Sequence, residues 1–226
     1  MKTFRIVNQL FYHSIFYPIN SNMYMIIENN NALVIDPHYS DKLSSIFKNN
    51  NISDVTILLT HEHPDHTSGV EWITDNFKTT LICQENCAMA ISDESNNRPI
   101  LISFILAEQD KINGTNFAHE FKKNFKPYRC IADITFNRSF VYKWNDHKLK
   151  FIFTPGHSRG SCCILLDNIF GFTGDSLIYN AETITRFPGG SIKDYINITV
   201  PFLKSLDKSI YVLPGHGKIF RLSEMS

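Results

Sequence analysis

Val55-Thr56-Ile57-Leu58-Leu59-Thr60-His61-Glu62-His63-Pro64-Asp65-His66 decides the fold of this chain. Its first five residues are β-rich and show no regular polar alternation, as expected of a strand buried on both faces. Three histidines and an aspartate follow within six residues, on the loop leaving that strand's carboxyl end. Open α/β sheets place their ligands there. So many polar groups in such a place are costly without partners. Metal binding supplies those partners.

On the amino-terminal side, residues 22–28 and 32–35 read as two strands around the turn Asn29-Asn30-Asn31. Residues 41–49 carry Leu43, Ile46 and Phe47 at the spacing of a short helix. On the other side, residues 70–77 read as a helix and 79–83 as a strand. The second half predicts strands at 134–136, 140–144 and 149–153, then a hairpin of 162–166 and 169–173 around Asp167-Asn168. A helix over 192–206 carries Pro201, which should kink or interrupt it. A last strand covers 209–213.

Residues 84–129 are the least regular. A polar stretch (92–97) precedes an apolar one (99–106), a turn (113–116) and a helix (117–125), and the segment reads as an insertion that shapes the pocket. The whole predicts one α/β domain over residues 1–226 with two β-sheets.

Apolar residues make up 43% of the 226, enough for a sizeable core, and 22 basic residues balance 22 acidic ones. A duplex nucleic-acid binder relies on a basic excess that is missing here, so a nucleic-acid partner is not expected. The amino terminus lacks the apolar run of a signal peptide, and nowhere do 18 apolar residues follow one another. Five scattered cysteines fit free thiols in a reducing compartment. A cytoplasmic protein without a membrane partner, acting on a small molecule, is the expectation.

Three further turns present ligand-type residues at the ends of apolar runs: His157 in Thr154-Pro155-Gly156-His157, Asp175 in Thr173-Gly174-Asp175, and His216 in Pro214-Gly215-His216-Gly217. With His61, His63, Asp65 and His66 they make seven imidazole and carboxylate donors. That chemistry suits zinc, iron or manganese. Seven donors exceed one tetrahedral catalytic ion and suit two ions, whose bound water is acidified enough to act as nucleophile.

His61-x-His63-x-Asp65-His66, followed by His157, Asp175 and His216, resembles the metallo-β-lactamase-fold superfamily, and within it the glyoxalase II-like hydrolases. The likeness runs from Ala32-Leu33-Val34-Ile35-Asp36-Pro37 to Pro214-Gly215-His216-Gly217. It implies an αββα four-layer sandwich with the site at the edge between the sheets. It also implies two divalent ions, zinc first: His61, His63 and His157 on one, Asp65, His66 and His216 on the other, Asp175 bridging. Asp65 would orient the nucleophile or shuttle a proton. The implied activity is attack by a metal-bound hydroxide on an ester, thioester or lactone of a small molecule.

The likeness has limits. The chain ends ten residues after His216, so the glutathione-binding helical domain of glyoxalase II is not expected. Between His66 and His157 lie 90 residues, more than compact members use, with the surplus in 84–129. Arg186, beside Phe187-Pro188-Gly189-Gly190, and Tyr179 are candidate substrate-binding residues, for an anionic group and a tetrahedral intermediate respectively. His38 reads as an exposed turn residue, and His13, His119 and His147 as structural or surface residues. An iron persulfide dioxygenase, which keeps the same ligands on a single iron, is the alternative; phosphodiesterase and β-lactamase activities rank below it.

Overall fold

The computed structural model describes residues 1–16, 19–38, 40–97, 103, 106, 107, 110–112, 114–124 and 126–225. Most of the apolar stretch 99–106, and residue 113 of the expected turn, lie outside them.

Seven strands pair in sequence order: β1 (Lys2–Ile6), β2 (Gln9–Phe16), β3 (Ser21–Glu28), β4 (Asn31–Ile35), β5 (Asp54–Leu58), β6 (Lys78–Gln84) and β7 (Ile134–Phe136). The first four are antiparallel, and from β4 to β7 the pairing is parallel. The second sheet has the order β13-β12-β11-β10-β9-β8, built from β8 (Ser139–Trp144), β9 (His147–Phe153), β10 (Cys162–Leu166), β11 (Phe170–Gly174), β12 (Tyr211–Pro214) and β13 (Phe220–Arg221).

Period-two alternation along β3 and β4 explains how the layers stack. Tyr24, Ile26, Leu33 and Ile35 face the other sheet and pack with Phe151, Ile164 and Phe172. Met23, Met25, Ala32 and Val34 face the opposite way, onto Leu43 and Phe47 of α1 (Asp41–Asn49) and Val70 and Ile73 of α3 (Val70–Asn76). Between those helices runs the four-residue α2 (Pro64–Thr67). On the outer face of the second sheet, Ile210, Val212, Phe220 and Leu222 pack with Leu206. The result is the expected αββα sandwich.

The amino-terminal hairpin β1–β2 was not foreseen, because its turn at Val7 carries no glycine, although Val7 adopts φ 53°. Its Phe11 is buried between the sheets against Phe170, 5.0 Å between ring centroids. Within 84–129 the structure has α4 (Glu85–Ser92) and α5 (Phe117–Asn124). The helix expected over 192–206 is divided into α6 (Ile192–Asp194), a π-helical turn (Tyr195–Thr199) and α7 (Val200–Ser205). Pro201 has no N–H and would collide with the carbonyl of Asn197 in a regular helix, and the wider turn just before it relieves that clash. No helix among the described residues is long and apolar enough to cross a membrane.

Candidate metal centre

Four turns carry the donors to the edge where the two sheets meet. The loop after β5 is tied to the second sheet by the Cys162 N–H, which donates to the Thr60 carbonyl (2.7 Å). The turn after β12 is tied to the first sheet: the Asn22 N–H donates to the Gly215 carbonyl (2.7 Å) and the Tyr24 hydroxyl to that of Pro214 (2.9 Å). Gly215 also donates to the Gly174 carbonyl, joining the two turns of the second sheet (2.8 Å). A Cβ at Gly215 would stand 2.2 Å from Asp175 Oδ1 and 2.9 Å from His66 Cε1, so this position takes no side chain.

Hydrogen bonds on the outer ring nitrogens of His61, His66 and His157 fix which nitrogen of each points inward. The Thr60 hydroxyl donates to Asp36 Oδ2 (2.6 Å), since a carboxylate only accepts. Its oxygen is left to accept from His61 Nδ1 (3.0 Å), which frees His61 Nε2. That Nε2 is buried without a hydrogen-bond partner. His157 Nδ1 donates to the Ile184 carbonyl (2.8 Å), and its Nε2 faces His63 Nδ1 at 3.0 Å. His66 Nδ1 donates to Asp36 Oδ2 (3.2 Å), and its Nε2 faces His216 Nε2 at 3.3 Å.

Three groups of donor atoms lie close enough to share an ion: His61, His63 and His157; Asp65, His66 and His216; and, overlapping both, Asp36, His61 and His66, whose Asp36 oxygens are already taken by Thr60 and His66 Nδ1. Asp65 Oδ2 is 3.2 Å from His66 Nε2 and 3.3 Å from His216 Nε2. Asp175 reaches the first two groups, with Oδ2 3.4 Å from His157 Nε2 and from His216 Nε2. Its Oδ1 is buried and has no hydrogen-bond partner, with His66 Nε2 3.6 Å away. Facing imidazole lone pairs, an orphaned imidazole nitrogen and an orphaned carboxylate oxygen all call for cations, so the donor set fits metal.

The electrostatics divide the same way. Burial holds the pKa of His61 and His63 below the usual imidazole value and brings His157 down to about 4. These rings stay neutral and ready to ligate. Around Asp65, burial opposes the charged carboxylate, but His66 and His216 outweigh it and keep Asp65 well below the usual range. Burial likewise opposes charge on His66 and His216, and neighbouring carboxylates raise both. This half of the site demands positive charge, from protons or from a metal.

The profile of the metallo-beta-lactamase superfamily matches residues 16–216. The chain belongs to that superfamily. Among curated members, the probable metallo-hydrolase YqgX of Bacillus subtilis is 25% identical over 202 residues, covering 88% of this chain and 86% of its own. A hydroxyacylglutathione hydrolase of Francisella philomiragia is 24% identical, over 88% of this chain and 63% of its own. Among solved structures, the metallo-beta-lactamase BLEG-1 superposes with a TM-score of 0.71 over 95% of each chain at 22% identity, a likeness of fold. Superfamily and relatives together support a metal-binding hydrolase.

In this superfamily member the seven expected donors converge. Tyr179 packs on Phe220 (5.2 Å between centroids), with the Lys218 ammonium 3.6 Å above its ring. Arg186 is exposed. Its neighbour Phe187, not singled out from sequence, lies edge-on to His63 (5.8 Å) and His157 (6.1 Å). His38 is not exposed as expected; it is 2% accessible, with its ring 5.3 Å from that of Phe16. Asp36 is the other residue the sequence reading passed over, since its role rests on contacts 24 and 30 residues away.

Beside His63 opens a cleft of about 490 Å³. Asn86, Met89 and Ala90 of α4 line one side, Arg159, Pro188 and Gly189 the other.

Proposed function

We propose that this protein is a hydrolase of small-molecule esters, thioesters or lactones that works with two divalent ions, zinc in the first place. His61, His63 and His157 would hold one ion, Asp65, His66 and His216 the other, and Asp175 both. When bound, such a pair supplies Lewis acidity and a water acidified toward neutrality. The observation that carries the reading is a pair of buried atoms without hydrogen-bond partners, His61 Nε2 and Asp175 Oδ1, among seven converging donors.

The chain's own groups do the rest. Asp36 and Thr60 hold His61 and His66 in one tautomer each, and the Ile184 carbonyl does the same for His157. Asp65, ionised and flanked by two imidazoles, is placed to orient the attacking water or to carry a proton to the leaving group. Phe187 shields the first donor group from solvent. The cleft beside His63, walled by α4 from the 84–129 insertion, is the substrate's place. Five free, buried cysteines support a reducing, cytoplasmic setting.

Metal quantification of purified protein is the first test, followed by hydrolysis of a thioester and lactone panel. Two zinc ions per chain, activity lost on chelation and restored by zinc, and loss of activity in His61→Ala and Asp175→Ala are expected. Full activity in either variant sinks the proposal. One iron per chain with oxygen uptake on a persulfide transfers it to the dioxygenase reading.

A further inference from the structure

The charges lining the cleft are unevenly committed. Glu62 accepts from the Ser158 hydroxyl (2.8 Å) and from the Gly160 N–H (3.4 Å), so its carboxylate is turned into the loop that carries His157. Asp93 accepts from the Ser95 N–H (2.8 Å). Arg159 is different. Its backbone is clamped, because the Asn86 side chain donates to its carbonyl (3.2 Å). Its aliphatic stem lies on Gly189, with Cγ 3.3 Å from where a Cβ would stand there. Its side chain is exposed at the cleft wall, and among the described residues no carboxylate forms an ion pair with it. Arg159 follows His157 by two residues, so their Cα atoms are at most about 7 Å apart.

With its backbone and Cγ anchored beside the loop that carries His157, Arg159 can offer its guanidinium fork to a planar anion in the cleft. Met89, Ala90, Pro64 and Pro188 make part of the same lining apolar. We infer that Arg159 selects the substrate: an acyl compound whose short apolar acyl chain lies in the cleft and ends in a carboxylate held by this guanidinium. This rests on the proposed hydrolysis for its catalytic half. Arg186, a sequence candidate for holding an anionic group, is not among the residues that line this cleft.

The test compares two chromogenic esters of equal chain length on the zinc-loaded protein, the p-nitrophenyl half-ester of glutarate and p-nitrophenyl pentanoate. In Arg159→Met, which keeps the apolar stem, the ratio of kcat/KM for the anionic over the neutral ester should fall about 10- to 100-fold, through KM. Arg159→Lys should restore part of it. A ratio unmoved by Arg159→Met overturns the inference.

A binding measurement separates this from failure of the hydrolase reading. Monomethyl glutarate is titrated into wild type and Arg159→Met, with the backbone amides of the cleft residues followed by NMR in both proteins and the Arg159 side-chain N–H in wild type. A shift and saturable binding in wild type, weakened at least tenfold in the variant, uphold the inference even if neither ester is turned over. Equal binding by both proteins, or none by wild type, overturns it.

Discussion

Asp36 shows how much one side chain outside the ligand set can control. Its carboxylate accepts the Thr60 N–H (2.7 Å), the Thr60 hydroxyl and His66 Nδ1, and through Thr60 it also orients His61. One residue therefore sets an imidazole in each donor group. Asp36→Asn keeps the shape but loses an acceptor, so metal affinity should fall about 10- to 100-fold while the fold persists. Competition with a chromogenic chelator measures this. Affinity equal to wild type would reduce Asp36 to a structural role. The candidate donors were readable from sequence because three histidines and an aspartate fall within six residues, and the other three stand in glycine-marked turns. Asp36, Phe187 and Arg159 were not, because their roles depend on contacts that local spacing does not encode.

At the scale of elements, the turns matter more than the strands they end. Gly215 is boxed in by Asp175 Oδ1, His66 Cε1 and the Gly174 backbone, while its own N–H and carbonyl are both bonded. Gly215→Ala must push the Asp175 and His216 turns apart. Hydrolytic kcat/KM should drop about 100-fold, with the far-ultraviolet circular dichroism unchanged. Unaltered turnover would show that the turns give more easily than the packing implies. The inter-sheet contacts are less specific. Phe172→Ala removes a ring buried between the sheets and should cost about 3–5 kcal/mol in denaturant unfolding. Most strands were foreseeable from apolar runs, since β3 to β6 are buried on both faces. The β1–β2 hairpin escaped because Val7 occupies a turn position that usually advertises itself with glycine or asparagine.

For the whole molecule, two devices join the sheets at different places. One is the donor cluster, whose carboxylates and imidazoles come from both sheets. Metal at 100 times its dissociation constant should add about 2.7 kcal/mol to stability, read as a fall in Tm on chelation. The other is His147, whose Nδ1 meets Asp167 Oδ2 (2.6 Å) and whose Nε2 meets Glu28 Oε1 across the sandwich (3.0 Å). Burial opposes charge on this ring, but its hydrogen bonds to Asp167 and Glu28 outweigh that and raise its pKa above 6.5. A raised pKa contributes stability that is complete below the unfolded-state value and lost as pH rises through the folded one. The stability difference between wild type and His147→Gln should therefore be largest near about pH 6 and shrink toward about pH 9. Denaturant curves across that range decide it, and a gap that widens with pH would contradict the linkage.

The spread of the ligands along the chain also has a meaning in time. His61 to His66 emerge together during synthesis, whereas His216 follows 150 residues later. At cellular rates of translation that is a delay of roughly 8–30 s. Throughout it, a nascent chain offers an open cluster of three histidines and an aspartate to any metal present. Which ion the proposed site takes up therefore depends on a centre that closes only once His216 has been made.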